Sequence, residues 1–134
     1  MTETLRPRIL IVDDEQRFRI TLSKLLKAEG LEAIHVGGAG EALDLIRNQE
    51  FDVILLDVKM PGMNGIEALA EIKKIRKDVE VIMLTGHASV DMAMEIMRLG
   101  GYDYLLKPCP MDELMLKIET AYDRKLERVH RVYP

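Results

Sequence analysis

Apolar residues fall along this chain in two alternating rhythms. Short continuous runs, Ile9-Leu10-Ile11-Val12, Val53-Ile54-Leu55-Leu56, Val81-Ile82-Met83-Leu84 and Tyr104-Leu105-Leu106, are separated by longer stretches with helical spacing. Such runs read as strands, and the most apolar of them, within Phe51 to Leu56, as a central strand buried on both faces. They predict strands over 8–12, 51–56, 81–84 and 102–106, with a shorter, more mixed strand at 32–36 nearer a sheet edge. Between them, apolar residues three to four positions apart predict helices over 15–29 (Phe18, Leu22, Leu25, Leu26), 41–49 (Ala42, Leu43, Leu45, Ile46), 66–76 (Ile66, Leu69, Ile72, Ile75), 89–99, and 111 to about 130. Gly30 and the Gly100-Gly101 pair supply helix stops. Gly37, Gly38 and Gly40 mark a loop, and Met60-Pro61-Gly62-Met63-Asn64-Gly65 carries strong turn chemistry.

Strict strand–helix alternation of this kind predicts an α/β fold: a five-stranded parallel sheet flanked by five helices. Right-handed crossovers leave few topologies. The doubly wound order 2-1-3-4-5 sets the first and third strands side by side. Five polar residues then gather at the carboxyl edge of the sheet, where open α/β sheets bind their ligands: Asp13 and Asp14, Asp57, Thr85 and Lys107. Any one of them has a plainer role. Asp and Thr after strands are common helix N-caps, and a lysine before Pro108 can be a solvated loop residue. Five such residues at four strand ends make that account poor.

Three carboxylates held together repel one another and favour protonation unless a cation balances them. A hard, oxygen-liganded cation such as Mg2+ suits that donor set. Asp57 can then act as a nucleophile forming an aspartyl-phosphate. Lys107 can neutralise a phosphoryl oxygen, and the Thr85 hydroxyl can donate to another.

Taken together, the segments Ile9-Leu-Ile-Val-Asp-Asp14, Val53-Ile-Leu-Leu-Asp-Val-Lys-Met-Pro-Gly-Met-Asn-Gly65, Val81-Ile-Met-Leu-Thr-Gly86 and Tyr102-Asp-Tyr-Leu-Leu-Lys-Pro108 resemble the receiver domains of two-component response regulators. The resemblance spans about residues 7 to 125, after an N-terminal tail at 1–6 and before a helix extension or linker at 126–134. It implies that Asp57 accepts phosphate from a histidine kinase. It also implies that Asp13, Asp14 and Asp57, with the backbone carbonyl of Lys59, bind Mg2+, and that Thr85 and Lys107 contact the phosphoryl group. The Lys107–Pro108 bond is expected to be cis. Thr85 and Tyr104 form the expected switch pair. Lys59 and His87 occupy positions that tune phosphoryl lifetime in such domains; each can equally be a solvated loop side chain. The Thr85–Val90 and Leu99–Tyr104 segments are most similar to receivers of ATPase-type transcription activators. A phosphatase of the haloacid dehalogenase type would need a second Asp where Lys59 stands. A flavin-binding protein would need a phosphate loop where Asp13-Asp14-Glu15 stands.

Composition narrows the picture further. A length of 134 residues fits one domain, and a net charge of −4 argues against direct nucleic-acid binding. The single cysteine, Cys109, excludes an intrachain disulfide framework. With no apolar stretch near the ~18 residues of a membrane span and a polar start, a cytoplasmic location is expected. The fourth helix is the anomaly. Asp91, Glu95 and Arg98 form a narrow stripe, while Val90, Met92, Ala93, Met94, Ile96, Met97 and Leu99 exceed the needs of one core-facing side. It is either deeply buried or part of an exposed, Met-rich contact surface. The resemblance implies that the fourth helix, fifth strand and fifth helix form the output and dimerisation face.

Overall fold

The computed structural model describes residues 6–132, and the side chains through 129. The N-terminal tail expected at 1–6 therefore lies almost wholly outside the described residues, as does the end of the extension at 133–134. Five strands, β1 (Ile9–Val12), β2 (Ala33–Val36), β3 (Val53–Asp57), β4 (Glu80–Thr85) and β5 (Asp103–Leu106), alternate with five helices. These are α1 (Gln16–Ala28), α2 (Ala39–Asn48), α3 (Gly65–Ile75), α4 (Val90–Arg98) and α5 (Met111–Val132). All strand pairs are parallel and the order is β2-β1-β3-β4-β5, as expected.

Alternate residues of the central strands serve two cores. Leu10, Val12, Ile54, Leu56, Val81 and Met83 face Ala42 and Ile46 of α2, Leu69 and Ile72 of α3, and Ile96 of α4. Ile9, Ile11, Val53, Leu55, Ile82 and Leu84 face Leu22 and Leu26 of α1, with Leu114, Ile118 and Ala121 of α5. Each fully buried branched side chain contributes about 1.5–3 kcal/mol. The period of two therefore fixes the register, and with it the alignment of the strand ends.

Some expectations about the elements change. α2 begins two residues earlier than its apolar stripe suggested, so Gly40 lies in its first turn and not in a loop. Gly38 is the N-cap, and its carbonyl accepts the Ala42 N–H at 3.1 Å. β3 starts after Asp52, whose carboxylate turns back to accept the Arg8 N–H at 2.7 Å. Leu25 is 44% exposed, because Phe18, Leu22 and Leu26, four residues apart, already fill the inward stripe of α1. The fourth helix also resolves: of its residues only Ile96 is fully buried, while Val90, Met94 and Met97 face outward.

Candidate functional site

Sheet register builds the site. Val12 pairs with Leu56, so the residue after each, Asp13 and Asp57, emerge side by side at the carboxyl edge. One carboxylate oxygen from each of Asp13, Asp14 and Asp57 lies within 4.8 Å of the others. Asp13 and Asp57 are buried, whereas Asp14 stands exposed at the mouth. Asp14 borders a shallow cleft that Lys59, Met60, Pro61 and Asn64 also line.

Hydrogen bonds hold the first carboxylate. Asp13 Oδ1 accepts the Glu15 N–H at 2.9 Å, and Oδ2 accepts from Lys107 Nζ at 2.5 Å. The Lys107 backbone N–H donates to the Thr85 carbonyl at 2.7 Å, which extends the β4–β5 ladder to the lysine itself. From there Nζ also approaches Asp57 Oδ1, at 3.4 Å. The Lys107–Pro108 peptide is cis.

Asp57 is fixed from the other side by α3. The Gly65 N–H donates to the Val58 carbonyl at 2.8 Å, and a Cβ at Gly65 would sit 2.1 Å from the Asp57 carbonyl oxygen. Only glycine lets this helix begin so close to the strand end. A reciprocal cap between Asn64 and Glu67 secures that first turn.

The electrostatics follow from crowding. Burial pushes the Asp57 carboxyl above its ordinary range and the charge of Asp13 pushes the same way; Lys107 opposes both, and Asp14 adds a smaller upward push. Burial disfavours the Lys107 ammonium, but its hydrogen bond and attraction to Asp13, followed by the pull of Asp57, outweigh that and hold its pKa above the ordinary lysine value. Three carboxylates against one ammonium leave surplus negative charge among hard oxygen donors. That donor set fits a hard divalent cation such as Mg2+.

The remaining expected residues are placed differently. Thr85 ends β4 with its hydroxyl engaged in its own loop, donating to the His87 carbonyl at 2.7 Å and accepting the His87 N–H at 3.2 Å. Lys59 and His87 are exposed, and among the described residues neither side chain hydrogen-bonds the acid cluster. Tyr104 is half-buried against the core that lies over α2, α3 and α4.

Residues 9–119 match the response regulator receiver domain family. The chain belongs to that family. The receiver is 40% identical over 114 residues to the regulatory protein AtoC of Escherichia coli K12, covering 85% of this chain and 25% of that protein. It is 36% identical to the sporulation initiation phosphotransferase F of Bacillus subtilis, covering 82% of this chain and 89% of that protein. It thus spans about a quarter of the long regulators it resembles and nearly all of the short one. Among solved structures, a CheY-like receiver domain protein from Methanospirillum hungatei superposes with a TM-score of 0.87 at 34% identity, covering 93% of this chain and 99% of that one. NtrX from Brucella abortus in complex with ADP superposes with a TM-score of 0.88 at 31% identity, covering 96% of this chain and 30% of that one. The receiver is accordingly the phosphoacceptor module of a two-component response regulator.

Two residues near this receiver's site escaped the sequence pattern. Phe18 reads as one more apolar position of the first helix, yet its ring lies over Lys107, 4.2 Å from Nζ to the centroid. Arg19 has no apolar signature at all. Its guanidinium donates to the Asp13 carbonyl at 2.9 Å and to His35 Nδ1 at 3.3 Å, bracing the β1–α1 loop. Spacing offered one clue: both residues lie in the first turn of a helix that starts at the acid pair.

Proposed function

We propose that Asp57 is the phosphoryl acceptor and that a histidine kinase is the donor. The observation carrying this reading is the buried Asp13–Asp57 pair, joined by Asp14 and bridged by Lys107, at the carboxyl edge of the sheet. In the transfer, an Asp57 carboxylate oxygen attacks the phosphorus of a phosphohistidine. The P–N bond breaks, its electrons return to the imidazole, and an acyl phosphate forms on Asp57. Asp13, Asp14, Asp57 and the Lys59 backbone carbonyl would hold Mg2+, which supplies charge neutralisation for the incoming phosphoryl oxygens. Lys107 meets one phosphoryl oxygen, and the Thr85 hydroxyl leaves its loop partners to donate to another. The half-buried Tyr104 then moves into the space Thr85 vacates, shifting the balance between two conformations.

Incubation with acetyl phosphate and Mg2+, reductive trapping of the acyl phosphate, and peptide mapping test this directly. The label is expected on Asp57 alone; labelling elsewhere, or none, refutes the assignment. The domain returns to its resting state by slow self-catalysed hydrolysis rather than working as a conventional enzyme. Lys59, which lines the cleft that Asp14 borders, and His87, exposed on the loop after β4, set that rate. Replacing both is expected to change the dephosphorylation rate measurably, and an unchanged rate eliminates their tuning role.

Val90, Met94 and Met97 on α4, Leu106 on β5 and Leu116 on α5 are each more than half exposed. They support an output face, formed by α4, β5 and α5, that engages an output domain or a second receiver within the cytoplasm. The segment 126–134, whose described part to residue 132 is the end of α5, then serves as the linker toward such a domain. Light scattering with and without a phosphoryl mimic is expected to show stronger dimerisation with the mimic; equal masses across a wide concentration range would count against it.

A further inference from the structure

Lys107 has a third neighbour that the scheme above leaves unused. Its ammonium sits 2.5 Å from Asp13, 3.4 Å from Asp57 and 4.2 Å from the centroid of the Phe18 ring. The ring is itself anchored: Phe18 stands on the first turn of α1, half-buried, and packs against the core layer that contains Leu22, Leu105 and Leu114. A lysine stem is long and flexible, and without a lateral restraint its ammonium explores solvent. The face of an aromatic ring attracts an ammonium through its quadrupole. It does so without a strong acceptor atom, so it restrains the ammonium while leaving its N–H groups for oxygens.

We propose that Phe18 is a positioning residue for phosphoryl transfer, its ring face holding Lys107 between Asp13 and Asp57 where a phosphoryl oxygen on Asp57 will arrive. This rests on the assignment of Asp57 as acceptor and Lys107 as its phosphoryl contact. Phe18 touches neither the acceptor nor the phosphate and acts only through the lysine. The carboxylates alone would draw Lys107 toward Asp13, the shorter of its two contacts. The ring supplies the third point that fixes the ammonium's direction, and oriented charge is what such a transfer requires.

Phosphorylation by acetyl phosphate at saturating Mg2+, followed by intact mass, provides the test. Phe18→Leu keeps an apolar side chain of similar bulk but removes the ring face. It is expected to slow the maximal rate about fivefold, as an exposed to partly desolvated cation–π contact implies. Phe18→Tyr and Phe18→Trp retain a ring face and are expected to stay within about twofold of wild type. In a Lys107→Met background, Phe18→Leu is expected to change the rate by less than about twofold, since the two act as one unit. The Lys107 ε-methylene protons provide a readout independent of phosphorylation: the ring should shift them upfield in wild type, and Phe18→Leu should abolish that shift.

A wild-type rate in Phe18→Leu overturns the proposal while leaving the Asp57 assignment intact. So does a Tyr or Trp variant as slow as the Leu variant, or a Leu effect that persists in the Lys107→Met background. Failure of wild type itself to take phosphate overturns the Asp57 assignment and this inference with it.

Discussion

Asp57→Asn is expected to abolish the phosphoryl adduct and, without a divalent cation, to leave the protein more stable than wild type at neutral pH. Loss of the adduct follows from loss of the carboxylate nucleophile with its shape preserved. The gain in stability follows from crowding. Burial and the neighbouring Asp13 raise the Asp57 pKa in the folded state above its ordinary 3.8. Above the unfolded value, the unfolded chain ionises this carboxyl freely, whereas the folded chain must carry the charge beside Asp13. Ionised Asp57 therefore costs stability at neutral pH. That cost recedes as the pH falls through the raised folded pKa and vanishes below 3.8, where both states are protonated. The advantage of the Asn variant should shrink on acidification in the same way.

Mg2+ should reverse the order. A cation that binds the folded acid cluster and not the unfolded chain stabilises by mass action, and the variant has lost one of its three carboxylates. Urea midpoints for both proteins at neutral and acid pH, with chelator and with Mg2+, read all of these terms. A metal-free Asn variant less stable than wild type at neutral pH would contradict the crowded-carboxylate account.

The site was legible because its residues stand at strand ends. Strands buried on both faces write themselves as uninterrupted apolar runs, so Asp13, Asp57 and Thr85 were each marked by where such a run stops, and Lys107 by the end of a shorter run on the edge strand β5, where only Leu105 is buried. Parallel register then did the rest, and it is the register that brings Asp13 to Asp57. What stayed hidden depends on how packed elements meet in space. Phe18 has the same spacing as Leu22 and Leu26, and only the packing of α1 on the sheet brings its ring to Lys107. The fourth helix was ambiguous for a related reason. Val90, Met94 and Met97 are apolar whether or not another element covers them, and no periodicity reports a missing partner. Glu80 shows the opposite case. A glutamate ahead of an apolar run reads as a loop residue, yet it belongs to β4 and is completely buried. Its forked partner, Arg124, lies 44 residues away on α5, beyond the reach of any local pattern.

Arg124→Ala is accordingly expected to cost about 3 kcal/mol of stability, the lower end for breaking a buried ion pair. Glu80 sits at the amino end of β4 with no exposed surface. Its carboxylate is gripped by a fork from Arg124, with Nε on one oxygen and Nη2 at 2.7 Å on the other. The same guanidinium stacks on the Tyr102 ring, 4.5 Å from its centroid. Removing it strands a buried carboxylate whose nearest remaining cation, Arg128, lies at 3.7 Å. Arg128 moving inward keeps the loss from being larger. Replacing both partners with apolar residues, Glu80→Leu with Arg124→Leu, removes the stranded charge and is expected to recover most of the loss. Lys125 pins the next residue of α5 to Asp52 at 2.5 Å, so two adjacent ion pairs fix the helix against the amino edge of the sheet. They set the direction in which α5 leaves the domain. Hydrogen exchange in the last turns of α5 should therefore quicken in Arg124→Ala beyond what its lower global stability explains. Urea unfolding of the single and double variants decides the matter. A single variant within about 1 kcal/mol of wild type would show that Arg128 or water already satisfies Glu80.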